Sequence, residues 1–257
     1  MLFDTHAHLD QPEFGGEQVA VVERARQAGV AEMAAIGITA ETSADCVALT
    51  QRFEGVYAAV GIQPNSVAEA KPDDWDRVVA LSAESGVVAL GETGLDRHWD
   101  FTPFDQQEDY FDRHLRHSQQ TGLPFVVHMR ECEADILRML REARSRGPLH
   151  GVMHSFTGDA AMAAECVELG LFISFAGMVT FKKAADLRAI AATVPDDRIV
   201  LETDSPYLSP EPLRGKKPNE PARLVHTAEC LAKERGVGLR EFASLTTANA
   251  RQLFRLD

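Results

Sequence analysis

The chain has 257 residues, 45% hydrophobic and 25% charged, the profile of a folded globular protein and not of a disordered, fibrous or membrane-embedded one. Acidic residues number 39 against 26 basic, a formal charge of −13 that argues against passive coating of nucleic acid or of an anionic membrane. Any polyanion must therefore be met locally.

In chain order, short apolar runs alternate with longer amphipathic ones, and the alternation never breaks. Strands are predicted over 2–6, 32–36, 56–61, 87–91, 125–128, 151–154, 171–175 and 199–202. Helices are predicted over 16–28, 41–52, 73–85, 104–121, 132–145, 159–169, 182–193, 219–235 and 239–254. Runs such as FVVH and RIVL carry little polar alternation, as strands covered on both faces do. Eight β/α units in this length predict an α/β fold of the (β/α)8 TIM barrel class, with an open doubly wound sheet as the alternative. The Pro-rich stretch 205–221, after the eighth strand, is the one long irregular segment, and such loops in compact domains usually carry function.

No boundary or linker divides the chain, so one domain over 1–257 is expected. The four cysteines, at 46, 132, 166 and 230, form no CxxC pair and read as thiols of a reducing compartment. The opening MLFDTHAHLD lacks a basic, then apolar, leader, and no run approaches the roughly 18 apolar residues of a membrane span. A cytoplasmic protein is expected, with no membrane association and no obligate protein partner.

Metal-binding side chains fall where the predicted strands end: His6 and His8 after the first, Glu92 after the fourth, His128 on the fifth, His154 on the sixth and Asp204 after the eighth. In a barrel these ends converge on one mouth, where active sites of the fold are built. Singly, each signal is weak, since a lone strand-end histidine is more often a core hydrogen-bonding residue than a ligand. Jointly they are strong. His6 and His8 are two apart and can share a strand face, and an ionised carboxylate at a buried strand end is costly unless paired or metal-bound. Thr93-Gly94 after Glu92 suggests a tight turn holding it there. Four histidines and two carboxylates on five strand ends make a two-cation ligand set of mixed nitrogen and oxygen character.

The other histidines point elsewhere. His150, four residues before His154, would lie at the opposite end of the barrel; His114 and His117 on an amphipathic helix, and His226, read as solvated; His98 sits in a loop at the mouth and is a candidate substrate contact. There is no GxSxG elbow, no GxGxxG opening a helix and no complete phosphate loop.

Taken together, DTHAHLD at 4–10, GETGLD at 91–96, VVHMR at 126–130, MHSFTG at 153–158, LETDSPYL at 201–208, RGKKPNEP at 214–221 and TTANARQLF at 246–254 resemble the TatD family of metal-dependent deoxyribonucleases over essentially the whole chain. The resemblance implies a TIM barrel of the metallo-dependent hydrolase type, two divalent cations and activity on DNA phosphodiesters; the ions are expected among Zn, Mn, Ni and Mg, and the expected action is exonuclease-like, on single-stranded or frayed ends. It implies that His6, His8 and Asp204 hold one cation, that His128 and His154 hold the other, and that Glu92 bridges them. One departure matters: where the family commonly carries histidines after strand three, this chain has Gln63 and Asn65, which can hydrogen-bond a phosphate but cannot act as cationic donors.

The mechanism expected is phosphodiester hydrolysis by metal-activated water, with Asp204 as general base beside Glu92 and with Glu202 orienting a ligand histidine. Basic residues available at the mouth are Arg97, Arg130, Lys182, Lys183, Arg214, Lys216 and Lys217; Gln63, Asn65, Arg130, His98, Arg214 and Lys216 are the candidate substrate contacts. Most aromatic residues near the loops, Trp99, Phe101, Phe104, Phe156 and Tyr207, read as packing residues. The rival reading is an amidohydrolase-type enzyme cleaving a C–N or ester bond of a small molecule; Glu92 on strand four, in place of a bridging lysine, argues against it.

Overall fold

The computed structural model describes residues 1–256 and is an eight-stranded parallel barrel in the strand order of the sequence. The strands are β1 (Leu2–Ala7), β2 (Val30–Ile36), β3 (Val56–Val60), β4 (Val87–Asp96), β5 (Phe125–Arg130), β6 (Gly151–Met153), β7 (Leu171–Phe175) and β8 (Ile199–Leu201). Between and after them run α1 (Gln18–Gln27), α2 (Ala40–Arg52), α3 (Asp74–Leu81), α4 (Phe104–Thr121), α5 (Glu133–Arg146), α6 (Ala160–Leu169), α7 (Ala185–Thr193), α8 (Leu224–Glu234) and α9 (Leu239–Phe254). The (β/α)8 class expected from the alternation is the fold observed. No helix among the described residues is long and apolar enough to cross a membrane.

Two apolar layers follow from the two-residue period of the strands. Val127, Met153, Ile173 and Leu201 face outward against helix residues such as Leu115, Ile136, Leu140 and Leu231. Their neighbours Val126, Val152, Phe172 and Val200 face inward with Phe3, Ala34 and Ala59, and α9 closes the lower end with Ala250, Leu253 and Phe254. Thr39 starts α2 as a reciprocal capping box with Thr42, and Asp159 accepts from Met162 N to start α6, so both helices begin at fixed points just past the mouth.

The largest departure from expectation is β4. It neither ends at Gly91 nor turns at Thr93-Gly94 but continues to Asp96, paired with β5 through Thr93–Val127, Gly94–His128, Leu95–Met129 and Asp96–Arg130. Gly94, at φ +133°, permits this, because a Cβ there would run into the His128 carbonyl oxygen. Glu92 thus lies within the strand where the ladder to β5 is interrupted between Leu90 and Thr93, and its amide donates to Gly37 O at 3.0 Å.

Candidate metal centre

The barrel closes between β8 and β1 without a regular ladder, and the residues that close it also carry the site. Ala7 and Ser205 form a single parallel bridge; Asp204 N donates to His6 O at 2.9 Å and His8 N to Ser205 O at 2.8 Å. Beneath them the buried Asp4 carboxylate accepts from Thr203 N at 2.8 Å and from the Thr203 hydroxyl at 2.6 Å. Backbone bonds therefore tie His6 to Asp204 and His8 to the next residue, Ser205. Asp204 has φ +55° and Ser155, after His154, +42°, left-handed conformations that L-residues adopt at a cost and that cluster at functional sites.

Four donor atoms from three strand ends face one point. His6 Nε2 and His8 Nε2 are 3.2 Å apart; Glu92 Oε2 lies 3.6 and 3.8 Å from them, and Asp204 Oδ1 3.8 and 3.5 Å. A tetrahedral cation with bonds of about 2.0–2.2 Å has ligand–ligand edges of about 3.3–3.6 Å, so these separations match a coordination shell. The other oxygen of the same carboxylate faces away from that point: Glu92 Oε1 is 2.8 Å from His128 Nδ1 and 3.7 Å from His154 Nε2.

Neighbouring groups set the rings. His8 Nδ1 donates to the Ile36 carbonyl at 3.1 Å, which leaves the Nε2 lone pair directed at the centre, the tautomer a ligand needs. His128 Nε2 is 3.0 Å from Asp96 Oδ2. The buried Glu202 accepts from Ser155 N at 2.8 Å, and its Oε1 also lies 2.8 Å from His154 Nδ1, without an aligned hydrogen bond.

Electrostatics make the same case for cations. Burial by itself would raise the Glu92 pKa, but hydrogen bonds with His128 and His6 outweigh it and hold the carboxyl well below its usual range. Burial opposes charge on His128 and His154 as well, yet Asp96 and Glu92 push His128 up to about 9, and Glu202 pushes His154 up to about 10. Carboxylates this close draw protons onto these two imidazoles when nothing else supplies positive charge. Divalent cations would replace those protons, and the donor set of imidazole and carboxylate suits them. His6 Nδ1, buried with no partner, is consistent with a ring held for its Nε2.

The centre opens into a cavity of about 690 Å³ whose lining includes His8, Glu92, His128, His154 and Asp204. Of the expected substrate contacts, Gln63, Asn65 and Arg130 line this cavity. Asn65 is committed, its Nδ2 donating to Asp96 Oδ2 at 2.9 Å; Gln63 Oε1 accepts from Asn65 N at 3.0 Å, and its own amide N–H group makes no bond among the described residues. Arg214 and Lys217 line an adjoining cavity of about 630 Å³, which shares Tyr207 and Leu208 with the first. His98 and Lys216 line neither; His98 Nδ1 sits 2.7 Å from Glu131 Oε1.

Other expectations are overturned. Arg97 does not reach the mouth: its Nε donates to Asp135 at 2.7 Å and its guanidinium lies 3.7 Å over the Phe104 ring, a local carboxylate and ring outcompeting the cavity. Lys182 and Lys183 line neither cavity. His114 is fully buried, not solvated, accepting from Ile62 N at 3.2 Å on Nε2 and donating to Tyr110 O at 2.7 Å from Nδ1. Phe156 is packing, as expected, whereas Trp99, Phe101 and Tyr207 are exposed. Asp96 was missed as a functional residue. Its Oδ2 accepts from His128 and Asn65, its Oδ1 from His98 N and Trp99 N, and these bonds, against burial, hold its pKa down at about 2.

Comparison with known proteins agrees with this chemistry. The family model described as TatD related DNase matches residues 3–255. The metal-dependent hydrolase YabD of Bacillus subtilis (strain 168) is 37% identical over 257 residues, covering 100% of both chains. A protein named 3'-5' ssDNA/RNA exonuclease TatD, from Cronobacter sakazakii, is 33% identical over 257 residues, covering 98% of this chain and 97% of its own. Among solved structures, the TatD homologue YJJV of Escherichia coli K12 superposes with TM-score 0.92 at 29% identity, over 100% of this chain and 98% of that one. An organophosphorus hydrolase from Deinococcus radiodurans, TM-score 0.63 at 16% identity over 98% and 92%, shares the fold. With the barrel, the histidine–carboxylate mouth and a match spanning nearly every residue in hand, the chain belongs to the TatD-related DNase family of metal-dependent hydrolases.

Proposed function

We propose that this chain hydrolyses phosphodiester bonds of DNA, acting as an exonuclease on single-stranded or frayed ends with two divalent cations that share Glu92. The observation that carries the reading is the division of one carboxylate: Glu92 Oε2 faces His6, His8 and Asp204, while Oε1 faces His128 and His154. When bound, divalent cations supply Lewis acidity toward a phosphoryl oxygen and lower the pKa of water. The protein's residues do the rest. Asp204, ionised because the His8 contact outweighs its burial, takes the proton of the attacking water. Arg130, on the inward face of β5 two residues past His128, donates to a phosphate oxygen, and Gln63 offers its free amide group from the loop after β3. Arg214 and Lys217 in the adjoining cavity meet the next phosphates along the chain.

The naming of the Cronobacter relative as an ssDNA/RNA exonuclease supports a nucleic-acid substrate. Among the described residues no lysine lines the central cavity, and none there favours the amidohydrolase reading. The test is elemental analysis of the purified protein followed by a labelled single-stranded oligonucleotide with and without chelator. Stepwise shortening that chelator abolishes and added Mn or Zn restores is expected; full activity in metal-depleted protein would refute the proposal.

A further inference from the structure

The large exposed hydrophobic residues outside the mouth are aliphatic (Met1, Val19, Val237 and Leu239), whereas the aromatic ones among the described residues, Trp99, Phe101 and Tyr207, all gather at its rim. Trp99 and Tyr207 line the central cavity, and Phe101 stacks on Trp99 with ring centroids 5.3 Å apart and planes 11° from parallel. Scattered exposed aromatics need no explanation, but a stacked pair bordering a reaction cavity leaves apolar ring surface in water where a ligand would cover it.

Its mounting is rigid. Asp96 Oδ1 accepts from His98 N at 2.8 Å and Trp99 N at 3.1 Å, while Oδ2 of the same carboxylate is 3.0 Å from His128 Nε2. His98 meets the indole edge-on at 4.7 Å and is itself anchored to Glu131. The Arg130 guanidinium, which lines the cavity, lies 5.6 Å from the Trp99 ring centre. One carboxylate thus ties a ligand histidine to a flat aromatic surface, with the Arg130 guanidinium beside that surface.

We infer that the Trp99–Phe101 pair is a stacking platform for a nucleobase of the single strand whose phosphate occupies the metal centre. This deepens the nuclease reading and rests on it. Charge explains why such a platform is needed: the chain carries −13 overall, Arg97 is spent on Asp135, and the cavity keeps Arg130 as its one lysine or arginine among the described residues. Counterion release can supply little affinity under those conditions, and stacking, which every base offers, can supply it without sequence preference.

The test compares the metal-loaded wild type, Trp99→Ala and Trp99→Phe on a single-stranded oligonucleotide, on the same strand with abasic residues, and on methyl p-nitrophenyl phosphate, a diester without a base. For Trp99→Ala the ratio of kcat/KM on the oligonucleotide to that on the base-free diester should fall about tenfold, through KM, with Trp99→Phe largely restoring it and the abasic strand showing no gap. An unchanged ratio, or an equal gap on the abasic strand, overturns the platform. A protein active on the simple diester but inert on DNA would refute the nuclease reading instead. Quenching of tryptophan fluorescence by an oligonucleotide, present in wild type and lost in Trp99→Phe, reads stacking without turnover, and its absence counts against the platform. Self-association abolished by Trp99→Ala with an unchanged kinetic ratio would assign the patch to a contact between copies, and so overturn the proposal as well.

Discussion

Three strands of the barrel change character within two residues as they rise. On β5 the inward column reads Val126, His128, Arg130; β6 offers Val152 and then His154 past its end; β8 offers Val200 and then Glu202. Below this level lies a dry floor, where Phe3 packs 5.5 Å from Phe254 and His150 merely donates Nε2 to Leu253 O at 2.8 Å. Above it lies a mouth of buried imidazoles and carboxylates. A step of about 7 Å along a strand separates residues kept for packing from residues kept for chemistry. The floor pays in apolar burial for the strained, charge-rich mouth, so the two regions should fail differently when altered.

The largest effect belongs to the mouth. Glu92→Gln should lower kcat by about 10³-fold or more in protein that remains folded, since the carboxylate facing both histidine sets loses its charge without a change of shape. Activity within tenfold of wild type would break the distinction. At the floor, Phe254→Ala should cost about 3–5 kcal/mol of stability by leaving a cavity against Phe3, with kcat preserved in the fraction that stays folded; denaturant titration with parallel assays separates the two. Glu202→Gln should sit between these cases, weakening metal affinity about 10- to 100-fold through His154 while kcat at saturating metal changes little, as read by metal titration.

A buried histidine away from the mouth sharpens the contrast. Burial holds His114 down at about 4, so between pH 6.5 and 4 the unfolded chain binds a proton that the native state refuses. Stability should therefore fall across that window, by up to about 3 kcal/mol, and His114→Gln should remove this part of the slope. At the mouth His8, His128 and His154 run the other way: their pKa values are raised, they favour the metal-free fold when protonated, and cations must displace those protons, so metal affinity should rise with pH. The smallest effect is that of salt. With Arg130, Arg214 and Lys217 as the available phosphate contacts, the logarithm of affinity for a single strand should fall with the logarithm of salt at a slope no steeper than about −2.

The fold and the clustering of the candidate residues were legible because both are periodic: strand columns place His128 and His154 inward once the barrel is assumed, and the mouth gathers what the sequence scatters. What escaped was set by tertiary pairing. Nothing local says that Arg97 would turn to Asp135, or that β4 would run on past Glu92 to deliver Asp96 against His128. His114 was readable and misread: it falls three residues after Phe111 and one before Leu115, on the buried face of α4, with Ile62 N waiting as its donor. The exposed aromatic rings were the reverse case, since composition offers no means of telling a packed Phe156 from an unpacked Phe101.

The division of the Glu92 carboxylate between two histidine sets is tested most directly by anomalous diffraction from crystals of the protein grown or soaked with manganese. Two ions about 3.5–4 Å apart, one against His6, His8 and Asp204 and the other against His128 and His154, are predicted on either side of Glu92. A single ion, or ions that leave Glu92 uncoordinated, would contradict the account.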